Sequence, residues 1–372
     1  MMMRFLKVLV IIVVVLFFAG TPWAVAGEGA DSVAGPERNW LRQLYENGFN
    51  LNDPAINYPR FPRLCVDVYN WGDRTFNSYD KDYVVSTGKN WKVIAKTYNW
   101  SESYFIDLEN KSRVLMISDV YSDLGVSINF MALSLGYTFN ANNIFGSPVA
   151  KRRIFDFSFT CALFSGNVHS SSTHGGVSIR RFAKYNDGHS INVGLDDVKQ
   201  TRLNGNVFYF FNHRKYSHAA AYSYSKYQLR SAGSWVLGVS LIRTDIDIDF
   251  SSLPPDMLDA LPPNAPRHYS LNYNDYCLLG GYAYNWVLHP RRWLINITAL
   301  PSVGVKHLRN VSVDDKKDLF AANIKVNFSV VYNYKALFAA FTGQLDAEQY
   351  TTNNYSFLNG QESLSICVGA RF

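Results

Sequence analysis

Any chemistry this 372-residue chain performs would have to start from its histidines and carboxylates. In "VHSSSTHGG", His169 and His174 stand in a Ser- and Gly-rich turn. Two imidazoles so close in sequence suit a metal ion, although a flexible turn fixes no geometry between them. "RTDIDIDF" puts Asp245, Asp247 and Asp249 on one side of a strand, an oxygen-rich row of the kind that holds calcium or bridges lipopolysaccharide phosphates through divalent ions. The simpler reading, a charged strand end where the chain leaves an apolar layer, is preferred. His218, at the head of "HAAAYSYS", is the candidate for a lipid-facing Ser/His/Asn hydrolase set. Such a set requires a Ser on the neighbouring strand within hydrogen-bond reach. Cys65, Cys161, Cys277 and Cys367 are far apart, form no CxxC and read as small packing residues. With no EF-hand spacing and no nucleotide loop, the chain is expected to use neither a metal nor a cofactor.

The charge adds little. Lys and Arg exceed Asp and Glu by 36 to 30, and the excess is dispersed. That balance argues against nucleic acid as a partner. The beginning is more informative. "MMMRFLKVLVIIVVVLFFAGTPWAVAGEG" has a basic start at Arg4 and Lys7, an apolar run from Val8 to Ala19, and Ala24-Val25-Ala26 as a cleavage site. Residues 1–26 are read as a secretory signal peptide, because the apolar run is shorter than the roughly 20 residues a spanning helix needs. Residues 27–90 carry Pro36, Pro54, Pro59 and Pro62 and the turn-rich "YNWGDRTFNSYDKDY". They read as an irregular segment, periplasmic or lumen-plugging, with one short helix in "PERNWLRQLYENG".

Residues 91–372 are written almost wholly in strand grammar. Ile324, Val326, Phe328, Val330, Tyr332 and Tyr334 share one face, against Asn323, Lys325, Asn327, Ser329 and Asn333 on the other. Leu337, Ala339, Phe341, Gly343 and Leu345 then continue the apolar side, and Thr342, Gln344, Asp346 and Glu348 the polar one. Alternation sustained for a dozen residues exceeds the usual strand of about 5–6 and matches tilted membrane strands of about 9–11 or more. The pattern recurs in "RIFDFSFTCALF", "GSWVLGVSLI", "WLINITALP" and "NDYCLLGGYAYNW". "GVSINFMALSLGYTFN" changes phase near Met131, as a β-bulge would. Short connections at "RSAGS", "HPRR" and Lys335 fall on one side. Long ones at Ser251–Leu271, Asn310–Asp318 and Thr351–Glu362 fall on the other. The reading is an all-β transmembrane antiparallel β-barrel of about 12 strands, with 10–14 admissible.

Several residue roles follow from that architecture. Tyr284, Trp286, Trp293, Tyr332 and Tyr334 cluster beside the short turns as a periplasmic aromatic girdle, with Phe338 and Phe341 near them. Lys325, Asn327, Asp346, Glu348 and Arg371 face the lumen or its rim. Their mixed signs allow either a narrow water channel or a plug of mutual ion pairs. "SLSICVGARF" alternates to Phe372, as expected of a strand that closes the ring and presents its terminal aromatic to the barrel assembly machinery. The implied partners are outer-membrane lipid, lipopolysaccharide and that machinery, and the implied location is a bacterial outer membrane.

Three segments, "YNWGDRTFNSYDKDYVVSTGKNWK" (Tyr69–Lys92), "FNHRKYSHAAAYSYSKYQLRSAGSW" (Phe211–Trp235) and "GGYAYNWVLHPRRWL" (Gly280–Leu294), resemble an uncharacterised family of outer-membrane proteins from Bacteroides-type bacteria, domain of unknown function family 4421. The resemblance implies export and a barrel, and brings no activity, substrate or catalytic residue with it. Three functional readings stand. The first is a non-enzymatic outer-membrane barrel, either a narrow pore or transport component or a structural adaptor. The second is a phospholipase-like enzyme of the outer membrane. The third is a secreted soluble β-sandwich that binds a ligand.

Overall fold

A computed structural model describes residues 40–47, 52–76, 78–89, 91–108, 112–130, 133–141, 151–262, 265–309, 317–351 and 355–372. Residues 1–26, expected to be a signal peptide, and Pro36 and Gly48 lie outside the described residues. The chain divides into two units, residues 1–62 and 63–372.

In the first unit, α1 (Trp40–Glu46) is the short helix expected there. Arg42 and Glu46, one turn apart, form a 2.8 Å ion pair on its exposed side. The Trp40 and Tyr58 rings meet at 5.7 Å, and Leu44 and Ile56 are buried. The Ala55 amide and the Asn47 side chain donate to the Asp53 carboxylate and hold its pKa below the usual range. A second helix, α2 (Arg60–Phe76), most of which belongs to the second unit, corrects the expectation of irregular chain, since it continues through "YNWGDRTF".

The second unit is built from strands. In chain order they are β1 (Val84–Ser86), β2 (Trp91–Leu108), β3 (Arg113–Ser118), β4 (Tyr121–Phe130), β5 (Leu133–Asn140), β6 (Lys151–Thr160), β7 (Phe164–His174), β8 (Val177–Phe182) and β9 (Val193–Leu195). There follow β10 (Val198–Phe210), β11 (Lys226–Gln228), β12 (Ala232–Asp249), β13 (His268–His289), β14 (Trp293–Leu308), β15 (Asp318–Tyr334), β16 (Leu337–Thr351) and β17 (Tyr355–Arg371). Twelve of them form one antiparallel ring, in the order β2-β4-β5-β6-β7-β10-β12-β13-β14-β15-β16-β17, and β17 returns to pair with β2 from Tyr355↔Leu108 to Arg371↔Lys92. Trp91 and Phe372 then exchange backbone hydrogen bonds of 3.1 and 3.0 Å, which finishes the seam. Ring closure pairs both edges of the long strands β12 to β17 and leaves no free edge there for aggregation.

The ring forms because each long strand carries one apolar and one polar face, and closure satisfies every ladder at once. Short turns at one end join β4 to β5, β6 to β7, β13 to β14 and β15 to β16. The other end carries most of the longer connections, including a helical turn, α3 (Pro255–Leu258), while the connection over residues 211–231 lies at the short-turn end. There β3 pairs with the far half of β2, and β8 and β9 extend it as a side sheet.

Three expectations change. The phase change falls between two antiparallel strands, β4 and β5, paired from Phe130↔Leu133, and not within one bulged strand; Met131 itself lies outside the described residues. "RSAGS" is not a short turn of its own. It ends a long connection, residues 211–231, containing a π-helical turn at Ala219–Ser223 and β11, which pairs with β1. The loop expected over Thr351–Glu362 is largely strand, because β17 already starts at Tyr355.

Candidate functional site

Ordinary proteins bury apolar side chains and expose polar ones; this ring does the reverse. On β13, Tyr276, Leu278, Tyr282, Trp286 and Leu288 point outward and are exposed, as are Val303, Val305 and Ile297 on β14 and Leu364, Ile366 and Val368 on β17. Their alternate neighbours point inward and include buried polar groups, Asp275 and Asn285 on β13, Asn296, Thr298, Ser302 and Lys306 on β14, and Gln361 and Ser363 on β17, among smaller or apolar ones. From Tyr276 to Leu288 the outward apolar run, tilted as barrel strands are, rises by about 30 Å. That is close to the thickness of a bilayer's hydrocarbon core.

The interior is occupied at three levels. At the short-turn end, the 211–231 connection folds into the ring. Ala220, Ala221 and Tyr224 pack against Ile94, Leu294, Val331, Phe338, Ala340 and Cys367, which are inward residues of five strands. Polar contacts fix it. Lys92 donates to the Ser223 carbonyl. Arg371 Nε donates to the Tyr224 carbonyl at 2.8 Å, and its Nη2 to Asn333. Ser329 donates to the Ala221 carbonyl at 2.7 Å, and Tyr222 to Asn296 at 2.7 Å. The Asn285 amide reaches the Ser217 carbonyl and Gln228, both at 3.0 Å.

Midway, charges of both signs cross-link the strands. Arg202 on β10 pairs with Glu348 on β16, and Tyr273 donates to the same carboxylate at 3.2 Å. Lys325 and Asp346 meet at 2.6 Å, as do Lys306 and Asp275. Tyr104 donates to Glu102 at 2.6 Å, and Gln200 to its other oxygen at 2.7 Å. The cavity left between Arg202, Asn204, Lys325, Asp346 and Glu348 is about 20 Å³, room for about one water molecule. At the long-loop end the filling turns apolar: Ile106, Val114, Met116, Ile179, Phe182, Ile246, Ile248, Phe250 and Met257 form one cluster.

The residues singled out above fall as follows. Lys325, Asp346, Glu348 and Arg371 are buried, while Asn327 is half-buried. Tyr284 and Trp286 touch ring to ring at 4.7 Å, as do Trp293 and Tyr332. With exposed Tyr334 they lie at the short-turn end, and the Lys335 ammonium sits over the Tyr334 ring. Phe341 points outward near them. Phe338 does not; it is buried against Tyr224 at 4.7 Å. Phe372 is exposed beside Trp91.

His169 and His174 are on β7 and not in a turn, and an odd separation on a strand sends them to opposite faces. His169 pairs with Asp156 of β6 at 2.6 Å. Asp245 is taken by Arg309, Asp247 lies 3.7 Å from His268, and Asp249 accepts from the Ser251 amide. No cluster of three metal-binding side chains occurs among the described residues. His218 belongs to the lumen insert, its ring 4.9 Å from Phe210 and 4.6 Å from Tyr222, and is not on the outward wall. Cys277 and Cys367 are buried thiols, and Cys161 bonds the Phe164 backbone at its turn. Sequence reasoning missed Arg202, Lys306 and Asp275; the Arg202–Glu348 and Lys306–Asp275 pairs emerge only once the strands are placed.

The model of a family described as a domain of unknown function (DUF4421) matches residues 78–372, and the chain belongs to that family. No curated protein matches the sequence. Among solved structures, the chain is similar to the outer membrane protease OmpT from Escherichia coli, at 7% identity and a TM-score of 0.34, over 77% of this chain and 98% of that one. It is also similar to the transport unit of the autotransporter AIDA-I from Escherichia coli, at 8% identity and a TM-score of 0.33, over 76% and 90%. A third is the P. putida toluene transporter TodX, at 7% identity and a TM-score of 0.24, again over 76% and 90%. The cyclic strand pairing, and not these distant likenesses, carries the barrel assignment.

Proposed function

We propose that this member of the DUF4421 family is a sealed transmembrane barrel of a bacterial outer membrane, serving as a structural or adaptor component and not as an open pore. The inverted distribution of polarity supports the membrane setting, since exposed Leu, Val, Ile and Trp on every long strand would be unstable in water and suit lipid. The short-turn end, with its aromatic girdle and Phe372, is then the periplasmic end, and Phe372 the residue offered to the assembly machinery. Most of the longer connections face outward, where lipopolysaccharide surrounds the barrel.

One observation carries the sealed reading: the lumen is filled at three successive levels by a chain insert, an ion-pair layer and an apolar cluster. A passing ion would have to part these buried pairs, and breaking a buried pair is costly. The full-length protein, reconstituted in planar bilayers, is expected to give no ion-conducting steps. The same sample is expected to sediment with outer membranes and to migrate faster on a gel unheated than boiled. Regular conductance steps from a heat-modifiable sample would overturn the sealed reading and leave the barrel standing. Recovery in the soluble periplasm would overturn both.

A further inference from the structure

At the long-loop end, outside the three filled layers, β3, β8 and the turn that follows β8 border an open surface pocket of about 420 Å³ lined by Arg113, Arg181, Ala183, Lys184, Asp187 and Gly188. We propose that it is a binding site for a phosphate-type oxyanion. Three cations line it, Arg113 on β3, Arg181 near the end of β8 and Lys184 in the turn directly after, against one lining acid, Asp187. A second carboxylate, Asp107, stands 3.6 Å from Arg113 and offsets part of that charge.

The backbone is shaped for the same purpose. In the β3–β8 ladder, Leu115 pairs with Arg181 but Met116 pairs with Ile179, so Arg180 is an extra residue. A bulge of this kind re-aims the side chains beside it and recurs next to binding sites. Directly after β8, Ala183 is left-handed at φ 48° and Lys184 returns to φ −97°, ψ 2°. Asn186 and Asp187 are left-handed too, at φ 51° and 50°. Non-glycine residues hold this conformation at a cost of about 1 kcal/mol or more each, and such strain gathers at ligand clamps. The turn is anchored on both flanks. The Ala183 amide donates to the Arg113 carbonyl at 2.8 Å, and Tyr185 packs on the apolar cluster beneath. Two guanidiniums and an ammonium on a fixed rim suit an anion with several oxygens, because each fork of donors takes two of them.

The oxyanion has two possible sources, a free phosphate compound or a phosphorylated lipid headgroup beside the barrel. Full-length protein in zwitterionic nanodiscs would be titrated calorimetrically with inorganic pyrophosphate. In a second arm, the nanodiscs would carry lipid A or its dephosphorylated form, and the rise in melting temperature would be read. Expected is binding in at least one arm, weakened tenfold or more by Arg181→Gln/Lys184→Gln and tightened two- to threefold by Asp187→Asn. Lys199→Gln removes an exposed cation away from the pocket and is expected to change nothing. A response to lipid A alone assigns the headgroup, and a response to pyrophosphate assigns the free anion. The proposal is overturned by silence in both arms, or by Lys199→Gln weakening binding as much as the double variant. Since Asp187→Asn is expected to raise affinity, a folding defect cannot imitate the full pattern. The pyrophosphate arm does not depend on the barrel being sealed.

Discussion

The two walls of this ring are made differently. From β12 to β17, strands of 15 to 22 residues pair over nearly their whole length, and their inward faces are tied by full charges. From β4 to β7, strands are 8 to 11 residues long, and inward contacts are mostly between small polar groups: Ser134 to Asn129 at 3.0 Å and Thr160 to Ser165 at 3.1 Å. The exception is the Asp156–His169 pair. Among the described residues, β5 and β6 pair only from Leu133↔Phe159 to Leu135↔Phe157. A strand slipped by two residues keeps every side chain on its proper face, so alternation alone cannot choose between such registers. Paired charges can, because a slip would leave buried ions alone. The long wall therefore has its register specified by ion pairs, and the short wall has it specified mainly by the hairpins that join its strands.

That contrast can be tested by disrupting each wall in turn. The largest effect is expected from Glu348→Leu, which leaves the Arg202 guanidinium buried without its counter-ion. A loss of about 3–5 kcal/mol is expected, read as a lower temperature for the heat-induced gel shift. Arg202→Met combined with Glu348→Leu should recover most of it. A double variant as weak as the single one would mean that the stranded Arg202 charge is not what destabilises the single variant. Next, Leu278→Arg places a charge in the middle of the outward apolar run of the long wall. It is expected to cost about 2–4 kcal/mol in denaturant titrations from lipid vesicles. Ser172→Arg, at an already polar outward position of β7, is expected to cost about 1 kcal/mol or less. Equal costs would erase the difference between the walls. In hydrogen exchange, amides of the β5–β6 pairing should open well before those of β13–β14. Comparable protection would show that the short wall is as firmly held. Smallest is Ser134→Ala, which removes the bond to Asn129 for about 1 kcal/mol; an effect rivalling Glu348→Leu would contradict the contrast outright.

Much of this molecule was legible in the sequence because period-two alternation is a local signal. Ile324 to Tyr334 and Leu337 to Leu345 announce their faces without any partner, and the ring order follows from hairpin succession. Local signals also misled. A connection between strands and a bulge both shift the phase, so Met131 could not separate one strand from two. "HAAAYSYS" alternates like a strand but coils inside the lumen, where its alanines fit against Leu294 and Val331. In α2, Pro59, Pro62 and Gly72 hid a recurrence of Phe61, Leu64, Cys65 and Val68 at helical spacing. The pocket beside Arg181 depends on a bulge and a left-handed alanine, and neither leaves a mark in residue type.

The small sheet of β1 and β11 has a mechanical consequence. Val84–Ser86 lies just ahead of the strand that receives β17 at the seam, and its partner Lys226–Gln228 belongs to the insert that fills the lumen. A pull applied to the chain ahead of Tyr79 would load that three-residue ladder, and the Asp80 amide on the Arg214 carbonyl, before any tension reached the wall. The ladder would part at low force and spare the ring. In single-molecule pulling from this side, a small early rupture separate from barrel unfolding is expected. A single rupture at high force would show that no such fuse exists.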